Sequence, residues 1–271
     1  MNQGDNRPKK RRRHDHKCTS KFSESVEKTS GTVTILPWTK SQYVPVLAEE
    51  MVLPLLIKYG SNEKGMMCKQ PHHRVKKIRD ACREHGIRLE QALSLRRTHI
   101  MNLNPYKRHL LNLGTPDDIR TSAMIFEDIV KKYLMRHRLS FWTEDEQKKN
   151  VPEGTLCGPT PDFLFHRPVQ LQISQDLTRP IFWIEAKMFY GASTITHGSN
   201  NAVGKVLEIA RKYRDAFGPG AVVFSFGCGE RMKVDLETEG IFALDSRVLD
   251  LRRMYEHQRK WCADRNGAIL P

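Results

Sequence analysis

The chain reads as an α/β protein whose second half runs in the order α-β-β-β-α-β behind a helical N-terminal region. Three observations predict this. Between Trp38 and about Asn112, apolar residues recur every three to four positions, the period of an amphipathic helix. Beyond about residue 160 the pattern shortens to apolar or alternating runs, "DFLFH", "VQLQI" and "IFWIEAKM". A helical stretch, Asn201 to Phe217, then separates the last of these from the apolar "AVVFSFG", and strand, helix, buried strand is a right-handed crossover.

Taken in order, residues 1–36 are polar, basic and rich in Ser and Thr, and read as a disordered tail. Within it "PKKRRR", Pro8 to Arg13, suits nuclear import or a nucleic-acid arm, with the nucleus the favoured address and the cytoplasm a second compartment. Residues 37–112 form the helical region. Val44, Leu47, Met51, Leu55 and Leu56 mark its first helix, which Pro54 is expected to kink or divide. Val75, Ile78, Cys82, Leu89, Ala92 and Leu93 carry the pattern on, while Arg74, Lys76, Lys77, Arg96 and Arg97 crowd the other faces as candidate nucleic-acid contacts. A helix-turn-helix-like module and a helical cap on the next domain fit this segment equally.

Residues 113–271 form the second domain. It opens at Thr115-Pro116-Asp117, where a capping Thr, a first-turn Pro and two acids announce a helix with Ile119, Ala123, Phe126 and Val130 inward and Glu127 beside that stripe. A final helix is expected from Ser246 to Trp261. No apolar run approaches the roughly 18 residues of a membrane span and no apolar signal core is present, so a soluble intracellular protein is expected.

The six cysteines lie far apart without a CxxC pair, which suits reduced thiols. Cys68, His72, His73, Cys82 and His85 have spacings a zinc site could use, against the simpler reading of a basic helix that happens to hold two cysteines. Formal charge is +14, and the first twenty residues account for +5 of it. The remaining +9 points to a polyanion, most simply nucleic acid.

In "IFWIEAK" alternation sets Phe182, Ile184, Ala186 and Met188 on a core face and Trp183, Glu185 and Lys187 on the other. Charge on such a strand is costly unless it is paired, metal-bound or in a cleft. Asp162, at the mouth of the "DFLFH" strand after Pro161, would reach the same cleft if the two strands pair. Asp162 and Glu185, with the Ala186 carbonyl, form a hard oxygen set suited to Mg²⁺ or Mn²⁺. Lys187 would orient a water or steady developing negative charge, and Glu127 is a fourth candidate. The competing reading is an ordinary Glu185–Lys187 pair on a solvated edge, with Glu127 paired to Lys131. Trp183 and Tyr190 read as core or rim, and His166 and His197 as loop histidines.

Pro161-Asp162 followed some twenty residues later by Glu185-Ala186-Lys187 resembles the PD-(D/E)xK nuclease superfamily, whose restriction-endonuclease-like core is αβββαβ. "TPDF", "FWIEAK" followed by "MFYG", "FGPGAVVF" and "LSFWTEDEQ" resemble its TPD-motif branch, the codanin-interacting nucleases related to Holliday-junction resolvases. The likeness covers about residues 118–245, and "YVPVLAEE" more loosely. It implies a metal-dependent nuclease, DNA rather than RNA as substrate, a codanin-like protein partner, and the homodimer seen in resolvases. It assigns Asp162, Glu185, Lys187 and Glu127 as catalytic, with Asp162, Glu185, Ala186 and Glu127 around the metal. One departure stands out: resolvase-like nucleases place Gln four residues before a Tyr on the following helix, and this chain has Ile209 before Tyr213. A catalytically idle nuclease fold acting as a nucleic-acid adaptor is the alternative, and an RNA-processing nuclease is another.

Overall fold

The computed structural model describes residues 34–38, 41–59, 73–103, 115–150 and 158–262. The basic run Pro8–Arg13, with Cys68 and His72, lies outside them. The described residues belong to one compact unit, with no division near residue 113.

A six-stranded sheet of mixed direction forms the centre. Its strands are β1 (Ile35–Pro37), β3 (Phe141–Thr143), β4 (Phe163–Ser174), β5 (Leu177–Lys187), β6 (Gly220–Phe224) and β8 (Ile241–Asp245). The short β2 (Tyr43–Val44) pairs separately with β7 (Cys228–Gly229). Pairings β1–β4, β5–β6 and β6–β8 are parallel, whereas β3–β4 and β4–β5 are antiparallel. Helices α1 (Val46–Tyr59), α2 (His73–Glu84) and α3 (Leu89–Leu103) precede α4 (Pro116–Arg136), which opens at Thr115-Pro116-Asp117. After it come α5 (Glu144–Lys149), α6 (Val206–Phe217), α7 (Glu230–Thr238) and α8 (Arg252–Cys262).

Four expectations change. The tail read as ending at residue 36 gives way to strand at Ile35, because Leu36 is fully buried and the backbone joins β4 in parallel register. α1 runs through Pro54 without division, with Pro54 itself on the exposed side. "DFLFH" and "VQLQI" are one strand, β4, interrupted by a register shift between Leu164 and Val169, where His166, Arg167 and Pro168 are exposed. Pro168 has no N–H for the ladder, so the irregularity falls beside it. The order α-β-β-β-α-β is nonetheless present, with β3 as its first strand and the short α5 inserted after it. The final helix starts at Arg252, and α7 and β8 extend the domain by one more parallel strand.

The first helix of this half starts as its residues dictate. Thr115 accepts a hydrogen bond from the Asp118 amide at 3.1 Å, and the Asp118 carboxylate accepts from the Thr115 amide at 2.9 Å, a reciprocal capping box. Ile125, Phe126, Ile129, Val130 and Leu134 bury the inner face of α4. The helical region is held to the sheet domain by polar groups as well as packing. Glu49, fully buried on α1, accepts from Tyr190 Oη at 2.7 Å and from the amides of Ser193 and Thr194, both at 3.1 Å. Thr194 Oγ1 adds a fourth donor at 3.1 Å, and Ser94 Oγ of α3 accepts from the Tyr190 amide at 3.0 Å. All of these bonds fall on the segment that follows β5.

β5 is buried on both faces in its second half, from Ile181 to Ala186, with Phe182 half-buried. Trp183, expected opposite the core, is fully buried and packs edge-on against Tyr213 of α6 at 5.3 Å. Its indole donates to the Gly218 carbonyl at 2.9 Å, and a Cβ on Gly220 would lie 2.1 Å from the ring. The crossover turn therefore needs glycine to let β6 approach β5.

Candidate active site

β4 and β5 pair with Phe163 opposite Ile184, which leaves Asp162 one step ahead, opposite Glu185. The Asp162 amide donates to Glu185 Oε2 at 3.1 Å, and Asp162 Oδ2 accepts from the Ala186 amide at 2.7 Å. The Glu185 carboxylate thus holds the Asp162 amide, and the Asp162 carboxylate holds the amide of the residue after Glu185. Lys187 Nζ donates to Glu185 Oε1. Glu185 is 5% exposed, while the Lys187 side chain keeps 21% of its surface open at the strand end. The solvated-edge reading of this pair does not describe so buried a glutamate.

Electrostatics follow from that crowding. Burial pushes the Asp162 carboxyl well above the usual range, and the neighbouring Glu185 charge pushes it further. Burial acts against the Lys187 charge, but Glu185 and then Asp162 more than offset it, and its pKa rises. Glu127 is raised by burial first and by Glu185 second. It makes no hydrogen bond to Asp162, Glu185 or Lys187, and no ion pair to Lys131. One lysine faces an excess of carboxylates, so a further cation would lower the energy of the ionised cluster.

A cleft of about 280 Å³ opens beside Asp162, lined by Glu127, Asp128 and Lys131 of α4, by Thr143, Glu144 and Asp145, and by Phe163. Asp128 is already engaged by Lys132 at 2.8 Å and Arg253 at 2.7 Å. Glu144 is paired with Lys148 at 2.6 Å, and Glu127, Asp145 and Asp162 keep the remaining lining acidic against Lys131. Two side chains outside the candidate set hold the approach to Asp162: Gln147, which sequence reasoning missed, and Tyr213, noted there only for the Ile209 before it. Gln147 of α5 bonds the Pro161 carbonyl at 2.8 Å, and Tyr213 Oη donates to the Thr160 carbonyl at 3.3 Å. Its bond to Thr160 brings α6 to this end of the sheet, where burial, then Glu185 and Asp162, raise the Tyr213 phenol.

Among the described residues no three His, Cys, Asp or Glu side chains form a ready metal cage. The donor set still fits Mg²⁺, which is commonly held by one or two carboxylates with water and substrate phosphate completing the shell. Asp162 and Glu185 supply two hard oxygen donors, and Glu127 lines the same cleft. Ala186 contributes its amide, which fixes Asp162.

The basic candidates separate. Lys76 and Lys77 are exposed on α2, whereas Arg96 is buried at 4% exposure and Arg97 is half-buried, because this part of α3 turns inward against α1. Arg74 lies in α2. Gly86, at φ +67°, makes the tight turn between α2 and α3. Cys82 is in the core, its thiol pushed up to about 11 by burial, so it does not present a ready thiolate for zinc.

Residues 113–247 match a family model described as "Protein of unknown function TPD sequence-motif". No curated protein and no solved structure matches the chain. Among the described residues no helix is long and apolar enough to cross a membrane.

Proposed function

We propose, starting from that TPD-motif match, that the chain is a metal-dependent nuclease of the PD-(D/E)xK type, with a restriction-endonuclease-like core and DNA as its substrate. The single observation that carries the reading is the interlocked set Asp162, Glu185 and Lys187 at the paired ends of β4 and β5, beside an acid-lined cleft. Asp162 and Glu185 would hold Mg²⁺ or Mn²⁺, with Glu127 across the cleft. When bound, the metal supplies Lewis-acid polarisation of the phosphodiester and a more acidic water. Lys187, on the half-open end of the strand, holds an attacking water or steadies negative charge on the phosphoryl oxygens. Glu185 keeps the ammonium aimed and fixes the Asp162 amide. The exposed Lys76 and Lys77, with the positive net charge, favour a polyanion, and the basic run Pro8–Arg13 favours a nuclear setting.

The test is incubation of the purified chain with single-stranded, duplex, flap and four-way-junction DNA and matched RNA, in Mg²⁺, Mn²⁺ or EDTA. Cleavage is expected to require metal and to vanish in Asp162→Asn and Lys187→Ala. Intact substrates together with tight, salt-sensitive binding by wild type and both variants would instead favour a nucleic-acid adaptor.

A further inference from the structure

We infer that Gln147 is a positioning residue for Asp162, clamping the peptide unit that delivers this carboxylate to the cleft. Gln147 lies on the short α5, only 9% exposed. Its Nε2 donates to two carbonyls, Trp142 O at 3.2 Å and Pro161 O at 2.8 Å. The Pro161 carbonyl and the Asp162 N–H belong to one planar peptide unit. The carbonyl end of that unit is therefore held by Gln147, and its amide end by Glu185 Oε2 at 3.1 Å. With both ends fixed, the plane cannot rotate, and the Asp162 side chain leaves it in one direction, toward the Ala186 amide.

The sheet cannot do this work. β4 begins only at Phe163, so the ladder starts after the peptide unit that joins Pro161 to Asp162. A side chain must take over where the ladder stops. The amide group itself shows which requirement prevails. Gln147 Oε1 is buried without a hydrogen-bond partner. Flipping the amide would turn that oxygen toward two carbonyls, so the Nε2 assignment is forced. An apolar side chain of similar size would avoid the orphan oxygen, at the loss of both donated bonds. The donors are thus what glutamine supplies here. A glutamate would set a carboxylate against two carbonyl oxygens.

The inference rests on Asp162 being a metal ligand, so its test uses one readout that needs metal and one that does not. Gln147→Met and Gln147→Glu are compared with wild type and with Ile241→Val, a buried change on β8 that lowers stability away from the site. Amide NMR follows the Ala186 N–H, and calorimetric titration follows Mn²⁺. The Ala186 resonance should move in both Gln147 variants and stay in place in Ile241→Val. Mn²⁺ affinity should fall roughly tenfold or more in Gln147→Met, the size typical of groups that orient a metal ligand. An unmoved Ala186 amide with wild-type Mn²⁺ affinity in Gln147→Met would overturn the inference. If wild type itself takes up no Mn²⁺ while the Ala186 amide still moves, the clamp stands and the metal reading falls.

Discussion

At Asp162 the balance of forces can be read from a single carboxyl. Burial and the Glu185 charge raise its pKa in the folded protein, whereas the unfolded chain keeps an ordinary value near 4. The folded state then binds more protons than the unfolded state above that value. Stability without metal should accordingly be greatest below about pH 4 as far as this group is concerned, and fall as pH rises through the elevated folded value. Asp162→Asn removes the charge and keeps an oxygen for the Ala186 amide. At neutral pH without metal it should melt higher than wild type, by roughly 2–4 °C if the relief is worth about 1 kcal/mol in a domain of this size. Metal should reverse the order, stabilising wild type alone. Thermal unfolding at several pH values, with and without Mn²⁺, checks both signs, and a lower melting temperature for the metal-free variant at neutral pH would contradict the account.

Elements turned these residues into a site, and they differ in how well the sequence announced them. The acids and lysine of β4 and β5 were legible because strand alternation is local, and an unexplained Glu and Lys on an apolar strand demand a partner. Asp162 could be joined to them as soon as the two strands were taken to pair. Gln147 was not legible, since its use depends on a six-residue helix bringing an amide to a carbonyl fourteen positions away. Arg96 misled for a related reason: a basic residue on an amphipathic pattern looks exposed until the packing of α1 on α3 is known. Glu49 shows the same limit at larger separation, since its four donors all lie more than 140 positions downstream. These bonds tie α1 to the segment leaving β5, and they predict a large penalty for their loss. Glu49→Ala strands a buried phenol, the buried Ser193 amide and the half-buried Thr194 amide, each costing about 1–3 kcal/mol, so thermal unfolding should fall by roughly 10 °C or more. Glu49→Gln should lose part of this, because an amide accepts with only one of its two ends. An unchanged melting temperature in Glu49→Ala would mean the helical region is held by packing alone.

Across the whole molecule, charge is divided by location: the chain carries +14, yet the cleft beside Asp162 is lined mainly by carboxylates. A polyanion is attracted to the surface and repelled at the site. Cation loading would resolve this conflict locally, and binding and chemistry should therefore separate in mutants. Lys76→Ala with Lys77→Ala removes two exposed charges on α2, a helix that packs against α1 and α3. DNA affinity should fall, and the slope of log K against log salt should shrink by up to about 2, since each lost phosphate contact removes close to one released counterion. Mn²⁺ affinity and the maximal cleavage rate should not change. Lys187→Ala should do the opposite, leaving the salt slope near that of wild type while cleavage disappears. Binding titrations over a range of salt, paired with single-turnover cleavage at saturating protein, read both quantities. If the Lys76/Lys77 variant loses maximal rate in proportion to affinity, α2 acts at the reacting phosphate itself. If its salt slope stays unchanged, the nucleic acid approaches by another face.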